Sequence, residues 1–438
     1  MSSYSPENSV SWRRAFAHAV GLSLLFGVVY GGASYITSVR TDVGTWRYDW
    51  EKYIPFVPIF IIPYMSIDAL FFAAPFLCSD RRELSLLSRR IGFGVVIAGL
   101  CFLIYPLRLA EERPGIDGWL GVIWSWFIGL DRPFNLLPSL HITLRTLLAP
   151  TYARHTRGVL QIVISIWFSL VGFSTLLMHQ HHVVDVIGGF ILATACFYLV
   201  NDAPMRLPMV RNSRIGWQYA ALGLATAVLC YLTWPWGAIL LWPIIAVAIV
   251  TLGYFHSGPG IFRKTYGRLP FSARLILAPV LAGQYVSWWY YKRHCNAWDE
   301  IDPNVWIGRW LSDAEAKQAV EAGVTAVVDM SDAFSEAEPF ARRNYLHLPV
   351  LDLTAPTGDQ LREAVNFIQE HATRGVVYVH CKIGYSRSAA VVAAWLISSG
   401  RAATVDDAIA QLKSKRPTIV IRPEIRVALD AWHGAIRR

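Results

Sequence analysis

The residues of this chain with the clearest chemical potential lie in one short segment, residues 380–388, which reads His-Cys-Lys-Ile-Gly-Tyr-Ser-Arg-Ser. It follows the apolar run 375–379 and precedes an alanine- and valine-rich run that ends at Gly400, a context that predicts strand, tight loop and helix. The loop N–H groups and the helix N-terminus would point toward an anion and favour the thiolate form of Cys381. Arg387 offers a planar guanidinium that can grip two phosphate oxygens. A thiolate inside a phosphate-binding loop is the apparatus of a cysteine phosphatase.

The nine residues of this segment, in their strand–loop–helix context, resemble the signature loop of the dual-specificity branch of the protein tyrosine phosphatase superfamily. The resemblance implies that Cys381 attacks phosphorus while Arg387 and the loop N–H groups hold the equatorial oxygens. It also implies that Ser388 hydrogen-bonds the leaving thiolate and that His380 helps to hold the loop. The other predicted phosphate-binding residues of the loop are Lys382, Ile383, Gly384, Tyr385 and Ser386.

Asp352 is the natural general acid, because it lies in a predicted loop 29 residues before Cys381 and ahead of Pro356, where the family's acid loop falls. It would protonate the departing oxygen and then, as a carboxylate, activate the water that breaks the cysteinyl-phosphate. An ordinary turn aspartate is the competing interpretation. The mechanism needs neither a metal nor an organic cofactor, so we expect none.

The elements that must position these residues belong to a C-terminal α/β domain, expected over residues 296–438, with a central, mostly parallel sheet flanked by helices. Before the strand that leads into the loop, the pattern predicts strands at 305–308, 325–330 and 345–350. It predicts helices at 313–322, 360–371 and 404–415, besides the helix after the loop.

The first two thirds of the chain have a different character, with recurring apolar runs of membrane-spanning length. They predict a multi-pass α-helical membrane domain, with spans at 15–38, 53–77, 91–108, 136–153, 158–178, 183–201, 216–233, 236–254 and 271–291. The last run contains Arg274, Pro279 and Gln284, so it either spans or lies in the interface. Eight or nine spans are therefore expected, and the side of the C-terminal domain stays open.

The charge distribution bears on partners and location. The net charge is +9, and its cations border the apolar runs, which favours anionic lipid headgroups over nucleic acid. The excess of arginine and lysine in alternate loops places the N-terminus in the cytoplasm by the positive-inside rule. We expect a multi-pass protein of a bacterial inner (cytoplasmic) membrane.

Two histidine-containing segments inside the membrane part form a second candidate site. His181 and Asp185 are four residues apart, so on a helix they share a face and the carboxylate can fix the imidazole tautomer. Pro-Ser-x-His at 138–141 and His-x3-Asp at 181–185 resemble motifs of the type-2 phosphatidic acid phosphatase superfamily, over roughly residues 50–200. The resemblance implies His181 as nucleophile, Asp185 orienting it, and His141 protonating the leaving alkoxide.

This second site departs from the family pattern at two cations. Arg132 and Pro133 are present, but Ser125 occupies the position of the family's lysine, and Thr175 that of an arginine. Arg132 and Arg145 are then the candidate phosphate-binding cations. The divergent form looks more like the branch that contains inositol phosphorylceramide synthases, so hydrolase and headgroup transferase both stay open.

Together these features predict a membrane-bound phosphatase that acts through a cysteinyl-phosphate, on phospholipid headgroups, with a second histidine-based lipid phosphatase or transferase site. The predicted domains are a type-2 phosphatidic acid phosphatase-like region at 1–205, further membrane or interfacial helices at 206–295, and the phosphatase domain at 296–438. The alternative is a membrane-anchored protein tyrosine, serine or threonine phosphatase, which acts on a phosphoprotein and whose membrane half is only an anchor or lipid-binding module.

Overall fold

The computed structural model describes residues 9–437, and the chain divides into two compact units between Asp202 and Ala203. The first unit is built from helices: α1 (Trp12–Ser38), α2 (Ile61–Leu77), α3 (Arg81–Ile104), α4 (Gly118–Leu130), α5 (Leu140–His155), α6 (Gly158–Leu177) and α7 (Val183–Leu199). Helix α5 packs against α2, α3, α6 and α7, and its leucines lie in the apolar core of this unit. Gly189 lets α7 approach the start of α5, because a Cβ there would lie 2.6 Å from the Ser139 carbonyl oxygen.

The second unit begins with four helices: α8 (Ser213–Leu232), α9 (Leu241–Leu252), α10 (Phe271–Ile276) and α11 (Ala278–Tyr291). An α/β domain follows, with β1 (Trp298–Asp302), β2 (Val305–Arg309), α12 (Asp313–Glu321), β3 (Val324–Asp329), α13 (Glu338–Ala341), β4 (Asn344–His347), α14 (Gly358–His371), β5 (Val376–Cys381), α15 (Arg387–Ser398), α16 (Val405–Lys415) and α17 (Pro423–Ile436).

The sheet of this domain has the strand order β1-β2-β5-β3-β4, in which β1 is antiparallel to β2 and the other pairs are parallel. The central strand β5 and the helix α15 that follows it are almost completely buried. Parallel strands end at a common edge of the sheet, where binding sites form, and Cys381 is the last residue of β5. The predicted fold class, a helical membrane part followed by a mostly parallel α/β domain, is confirmed.

The membrane half differs from the prediction in its count of spans. Among the described residues, six helices are long and apolar enough to cross a membrane: Trp12–Ser38, Pro58–Leu77, Arg81–Ile104, Gly158–Leu177, Ser213–Leu232 and Trp236–Phe262. The apolar runs at 136–153 and 183–201 form helices of only 16 and 17 residues. The run at 271–291 is divided at Leu277, because Pro279 lacks the N–H that a continuous helix would use there. In the described part of the chain, six helices thus reach spanning length, where the sequence predicts eight or nine spans.

The structure contains several secondary-structure elements that the sequence does not predict. Helix α4 has only 13 residues and was not predicted, nor were the edge strand β1 and the C-terminal helix α17. The strand predicted at 345–350 ends at His347, since Pro349 cannot donate to a strand ladder. The other predicted strands and helices of the C-terminal domain agree with the structure to within a few residues.

Candidate active site

The thiol of Cys381 lies in a small pocket of donors at the carboxyl end of β5. The Gly384 N–H donates to Sγ at 3.3 Å, and the Ser388 hydroxyl lies 3.5 Å from the same atom. Burial acts to raise the pKa of the Cys381 thiol, but the Arg387 guanidinium and the Ser388 and Gly384 hydrogen bonds lower it to about 7. A large fraction of Cys381 is therefore thiolate at neutral pH, which is the nucleophilic form.

The shape of the loop depends on Gly384 and on a distant arginine. Gly384 has a φ of +77°, and a Cβ there would lie 2.4 Å from the Gly308 carbonyl oxygen, so other residues are excluded by both conformation and space. Arg416, only 1% exposed, donates from Nε to the Gly384 oxygen at 3.0 Å and from Nη2 to the Ile383 oxygen at 3.1 Å. Its Nη1 reaches Asp299 at 2.5 Å, which balances the buried charge. Sequence reasoning assigned no role to Arg416.

Arg387 and Asp352 are brought together beside the loop, as the sequence predicted. Arg387 donates to the Val350 carbonyl at 2.6 Å, to Asp332 at 3.2 Å and to Asp352 at 3.1 Å. Asp352 also forms an ion pair with Lys382. Burial acts to raise the pKa of Asp352, but Arg387 and Lys382 lower it to about 2, so this carboxyl is ionised while it occupies the two cations.

Asp332 is a second carboxylate at Arg387, and sequence reasoning missed it. It is 5% exposed, and burial raises its pKa although the Arg387 guanidinium opposes the rise. Its short side chain follows β3 in a stretch without a recognisable motif, so only the fold could have shown it. Asp332 accepts from Nη1 of Arg387 and Asp352 from Nη2, so the two carboxylates together hold the orientation of the guanidinium.

His380 lies beneath the loop in a fully buried charged cluster. Its Nε2 lies 2.8 Å from Glu336 and 3.8 Å from Asp329. Burial acts to lower the pKa of His380, but these two carboxylates raise it to about 9, so the ring is an imidazolium at neutral pH. Lys264 Nζ lies 2.5 Å from Asp329. Asp329, Glu336 and His380 are close enough together to hold a metal ion, yet Lys264 and the imidazolium already balance their two negative charges.

The other predicted loop residues surround the thiol at different depths. Lys382 and Ile383 are 9% and 6% exposed, and Ile383 belongs to an apolar cluster shared with α9 and α11. Tyr385 is half-buried beside the Tyr291 ring, with ring centroids 6.2 Å apart. The Ser386 hydroxyl is buried and has no hydrogen-bond partner among residues 9–437, so it is free to bind an oxyanion.

The second site lies in the first unit, where α5 and α7 begin. His141 and His181 have ring centroids 6.1 Å apart, and His181 Nδ1 lies 3.7 Å from the Asp185 carboxylate. Asp185 is fully buried and accepts a hydrogen bond from the His182 N–H at 2.7 Å. The Tyr64 ring stacks on His141 at 4.1 Å. The structure thus brings together the three residues of this predicted site.

The two cations predicted for this second site, Arg132 and Arg145, have other contacts in the structure. Arg132 donates to the Ser38 hydroxyl near the end of α1, and Arg145 packs over the Phe190 ring at 5.8 Å. A cavity open to solvent lies beside His181, and neither arginine is among its lining residues in the described part of the chain. Arg47 lines it instead, paired with Glu111.

Comparison with known proteins gives a family match for each of the two regions that contain a candidate site. The family described as dual specificity phosphatase, catalytic domain, matches residues 305–433, and the PAP2 superfamily matches residues 128–199. Human phosphatidylglycerophosphatase and protein-tyrosine phosphatase 1 is 31% identical over 156 residues, which cover 33% of this chain and 77% of the human protein. The chain belongs to the dual-specificity phosphatase family. It is accordingly a phosphoric monoester hydrolase with a PAP2-like region ahead of its phosphatase domain, as the sequence predicted.

Two other likenesses concern the same region of this dual-specificity phosphatase. Phosphatidylglycerophosphate phosphatase PTPMT2 of Arabidopsis thaliana is 30% identical over 142 residues, which span 31% of this chain and 62% of the plant protein. The crystal structure of PTPMT1 in complex with PI(5)P is similar with 28% identity and a TM-score of 0.30, covering 32% of this chain and 97% of that chain.

Proposed function

We propose that this dual-specificity phosphatase hydrolyses phosphomonoesters on phospholipid headgroups through a cysteinyl-phosphate at Cys381. The observation that carries the proposal is the placement of the Cys381 thiol between the Gly384 N–H, the Ser388 hydroxyl and Arg387, with Asp352 on the same guanidinium. Among residues 9–437, six helices of spanning length support a membrane protein. The plant relative is named a phosphatidylglycerophosphate phosphatase and the human relative a phosphatidylglycerophosphatase and protein-tyrosine phosphatase, so a lipid substrate is common to both names.

The reaction follows from the positions of these groups. The Cys381 thiolate attacks phosphorus while Arg387, the loop N–H groups and the Ser386 hydroxyl hold the equatorial oxygens. The bond to the departing oxygen breaks, and Asp352 gives that oxygen its proton. As a carboxylate, Asp352 then takes a proton from the water that attacks phosphorus. The sulfur–phosphorus bond breaks, inorganic phosphate leaves, and Ser388 stabilises the released thiolate.

The charge on Asp352 must change when substrate binds. In the structure Asp352 is ionised because Arg387 and Lys382 hold it. A substrate phosphate that takes over Arg387 removes that attraction and adds a negative charge nearby, and both effects raise the pKa of a carboxyl group. Substrate binding therefore converts Asp352 from a carboxylate that occupies the phosphate site into a general acid.

The test uses the full-length protein in detergent micelles. It compares short-chain phosphatidylglycerophosphate and phosphatidic acid with a phosphotyrosine peptide and a phosphoserine peptide. We expect kcat/KM to favour a lipid monoester over the peptides. In a His181→Ala background, in which the second proposed site is inactive, Cys381→Ser should abolish release of inorganic phosphate from that lipid. A stronger Cys381-dependent activity on the peptides would instead support the anchored protein phosphatase.

A second catalytic function, in the PAP2-like region, is favoured by the cavity beside His181. We propose that His181 attacks a lipid phosphate there, that Asp185 holds its ring, and that His141 protonates the departing alkoxide. Arg47 lines the cavity and supplies a cation that Ser125 and Thr175 cannot. A lipid phosphatase and a headgroup transferase both fit this geometry. If His181→Ala changes neither lipid phosphate hydrolysis nor headgroup transfer to an alcohol acceptor, the region is only an anchor or lipid-binding module.

We propose that the protein lies in a bacterial inner membrane with its N-terminus in the cytoplasm. We also propose the domain boundaries that the sequence predicts, after residues 205 and 295. The helix pair Ser213–Leu232 and Trp236–Phe262 is flanked at both ends by basic residues, Arg206, Arg211, Arg214, Arg263, Lys264 and Arg268. The positive-inside rule assigns these flanks to the cytoplasm. Because 271–291 is broken into two short helices, we assign the phosphatase domain to that side, where a thiolate stays reduced. Reporter fusions at residues 212, 234 and 437 would test this, and an extracytoplasmic report at 437 would contradict it.

A further inference from the structure

The loops of the phosphatase site are held by residues that precede the family match, which begins at residue 305. The loop that contains the general acid Asp352 accepts two hydrogen bonds from such residues. The Tyr254 hydroxyl donates to the Asp352 carbonyl oxygen at 2.8 Å, and Asn212 Nδ2 donates to the Leu353 carbonyl oxygen at 2.8 Å. Leu353 has a φ of +60°, a conformation that a branched side chain rarely adopts without support. Two donors from outside the α/β domain therefore fix the two peptide units next to the general acid.

Both donors are themselves firmly placed. Tyr254 lies in a π-helical turn, Gly253–Ser257, at the end of the apolar run that includes α9, and it is 3% exposed. Its ring stacks on Tyr219 of α8, with ring centroids 5.4 Å apart. Asn212 caps α8 through the Ile215 N–H, so its amide is held in place at the helix N-terminus.

The cysteine loop has a similar support from helix α11. Lys382 Nζ donates to Gln284 Oε1 at 2.8 Å and lies 3.4 Å from the Ser287 hydroxyl. These two neutral acceptors stay in place when a substrate displaces Asp352 from Lys382. Gln284 and Ser287 therefore keep the Lys382 ammonium group in position to bind the phosphate of the substrate.

We propose that Asn212, Tyr254 and Gln284 are positioning residues of the phosphatase reaction, so that the active centre includes the N-cap of α8, the π-helical turn after α9 and part of helix α11. The proposal rests on the proposed role of Cys381 and Asp352. It assigns two separate effects: Asn212 and Tyr254 act on proton delivery through the acid loop, and Gln284 acts on substrate binding through Lys382. A helical segment that served only to tether the domain would produce neither.

The first experiment compares the leaving group, using full-length protein in detergent micelles. Para-nitrophenyl phosphate needs little help from a general acid, whereas phenyl phosphate and short-chain phosphatidic acid need a proton on the departing oxygen. We expect Tyr254→Phe and Asn212→Ala each to lower kcat/KM for the two poor leaving groups by roughly 3- to 10-fold, the value of one hydrogen bond. We expect kcat/KM for para-nitrophenyl phosphate to change little.

Tyr231→Phe is the matched control, because Tyr231 is also on α8 and is 81% exposed. An equal loss on good and poor leaving groups would show that the two residues only stabilise the fold, and no loss at all would overturn their positioning role. If wild-type protein shows no Cys381-dependent hydrolysis of any substrate, the proposed function itself fails and this inference fails with it.

The second experiment separates KM from kcat at Gln284. We expect Gln284→Leu to raise KM for short-chain phosphatidic acid several-fold with little change in kcat, because Lys382 loses its neutral acceptor. Gln284→Glu keeps an acceptor oxygen and should restore most of the binding. Val286→Ala is the control, since Val286 is on α11 and is 65% exposed. A loss in kcat alone, or no rescue by glutamate, would overturn the role of Gln284.

Discussion

The two candidate sites of this chain, at Cys381 and at His181, differ in how completely they are assembled before substrate binds. At Cys381 the sulfur and the Arg387 guanidinium already have donors and acceptors at hydrogen-bond distance. At His181 the ring nitrogen Nδ1 and the Asp185 oxygen Oδ1 are buried without hydrogen-bond partners among residues 9–437. At the first site the nucleophile and its main cation are organised in advance for an anion, and the Ser386 hydroxyl is left to bind it. At the second site the nucleophile and its carboxylate themselves have polar atoms that a substrate, or a small movement of the ring, must satisfy.

The difference follows from how each site is encoded. Most groups of the cysteine site come from nine consecutive residues, whose conformation is set by one strand and one helix. The histidine site takes one residue from the start of α5, one from the turn before α7 and a cation from the loop after α1. A site assembled from separate segments depends more on packing, and we expect it to tolerate fewer changes in its surroundings.

The largest expected effect is the complete loss of one activity while the activity of the other site is retained. Cys381→Ser should abolish hydrolysis of soluble aryl phosphates, because a serine hydroxyl is a far weaker nucleophile than a thiolate at neutral pH. His181→Ala should leave that activity unchanged and abolish turnover of lipid phosphate by the Cys381→Ser protein. Phosphate release and headgroup transfer by both single variants and the double variant would measure this. If one substitution removes both activities, the chain has a single catalytic centre.

The next effect concerns proton delivery at the cysteine site. Asp352→Asn should slow hydrolysis of substrates with poor leaving groups by roughly 10²–10⁴-fold, the usual contribution of a positioned general acid. Asp313→Asn is a control, since Asp313 is an exposed residue in the first turn of α12. Steady-state rates over a range of aryl phosphates give the measurement. A loss that does not depend on the leaving group would mean that Asp352 acts through Arg387 and not as an acid.

A smaller effect tests the cation at the histidine site. Arg47→Gln should reduce the His181-dependent activity by roughly 10- to 100-fold, since a hydrogen bond to a charged group contributes about 1.5–3 kcal/mol. Arg132→Gln serves as the comparison, because Arg132 donates to Ser38 and does not line the cavity in the described structure. Equal losses in both variants would argue against a specific role for Arg47. A larger loss in Arg132→Gln would restore the assignment made from the sequence.

The smallest expected effect is a shift along the pH axis. Because the pKa of Cys381 is lowered from 9.0 to about 7, its thiolate should predominate above pH 7, and alkylation by iodoacetamide should have its midpoint there. Ser388→Ala removes a hydrogen bond to the thiolate, so the pKa should rise and the midpoint should move to higher pH. Mass spectrometry of the labelled peptide gives both midpoints. A midpoint near pH 9 in wild type would contradict the organised loop.

The residues of the candidate cysteine site could be located from the sequence because its chemistry is local. A strand, a turn and a helix were enough to place Cys381, Arg387 and Ser388, and the family resemblance added Asp352. Arg416, Asp332 and Gln284 could not be predicted, because each acts from a distant part of the chain. No local pattern distinguishes a buried ion-paired arginine from an exposed one. At the histidine site the motifs located His141, His181 and Asp185, but the loop that contains Arg47 carried no signal.

The fold shows the same division between local and distant information. Hydrophobic runs located the long helices, yet they could not show where α5 and α7 end, because the length of an apolar run does not fix where helical hydrogen bonding stops. The edge strand β1 was missed because its charged residues are typical of a solvent-exposed segment.

The contacts of Arg416 have a consequence for the direction of the loop's peptide units. A trans peptide is planar, so its C=O and N–H point in opposite directions. Arg416 donates a hydrogen bond to the carbonyl oxygen of Ile383 on one side, and the N–H of the same peptide unit, which belongs to Gly384, donates to the Cys381 sulfur on the other. Because Arg416 fixes the carbonyl end of this planar peptide unit, the direction of its N–H is fixed as well. An arginine 35 residues downstream of the cysteine thereby aims a hydrogen-bond donor at the thiolate without touching it.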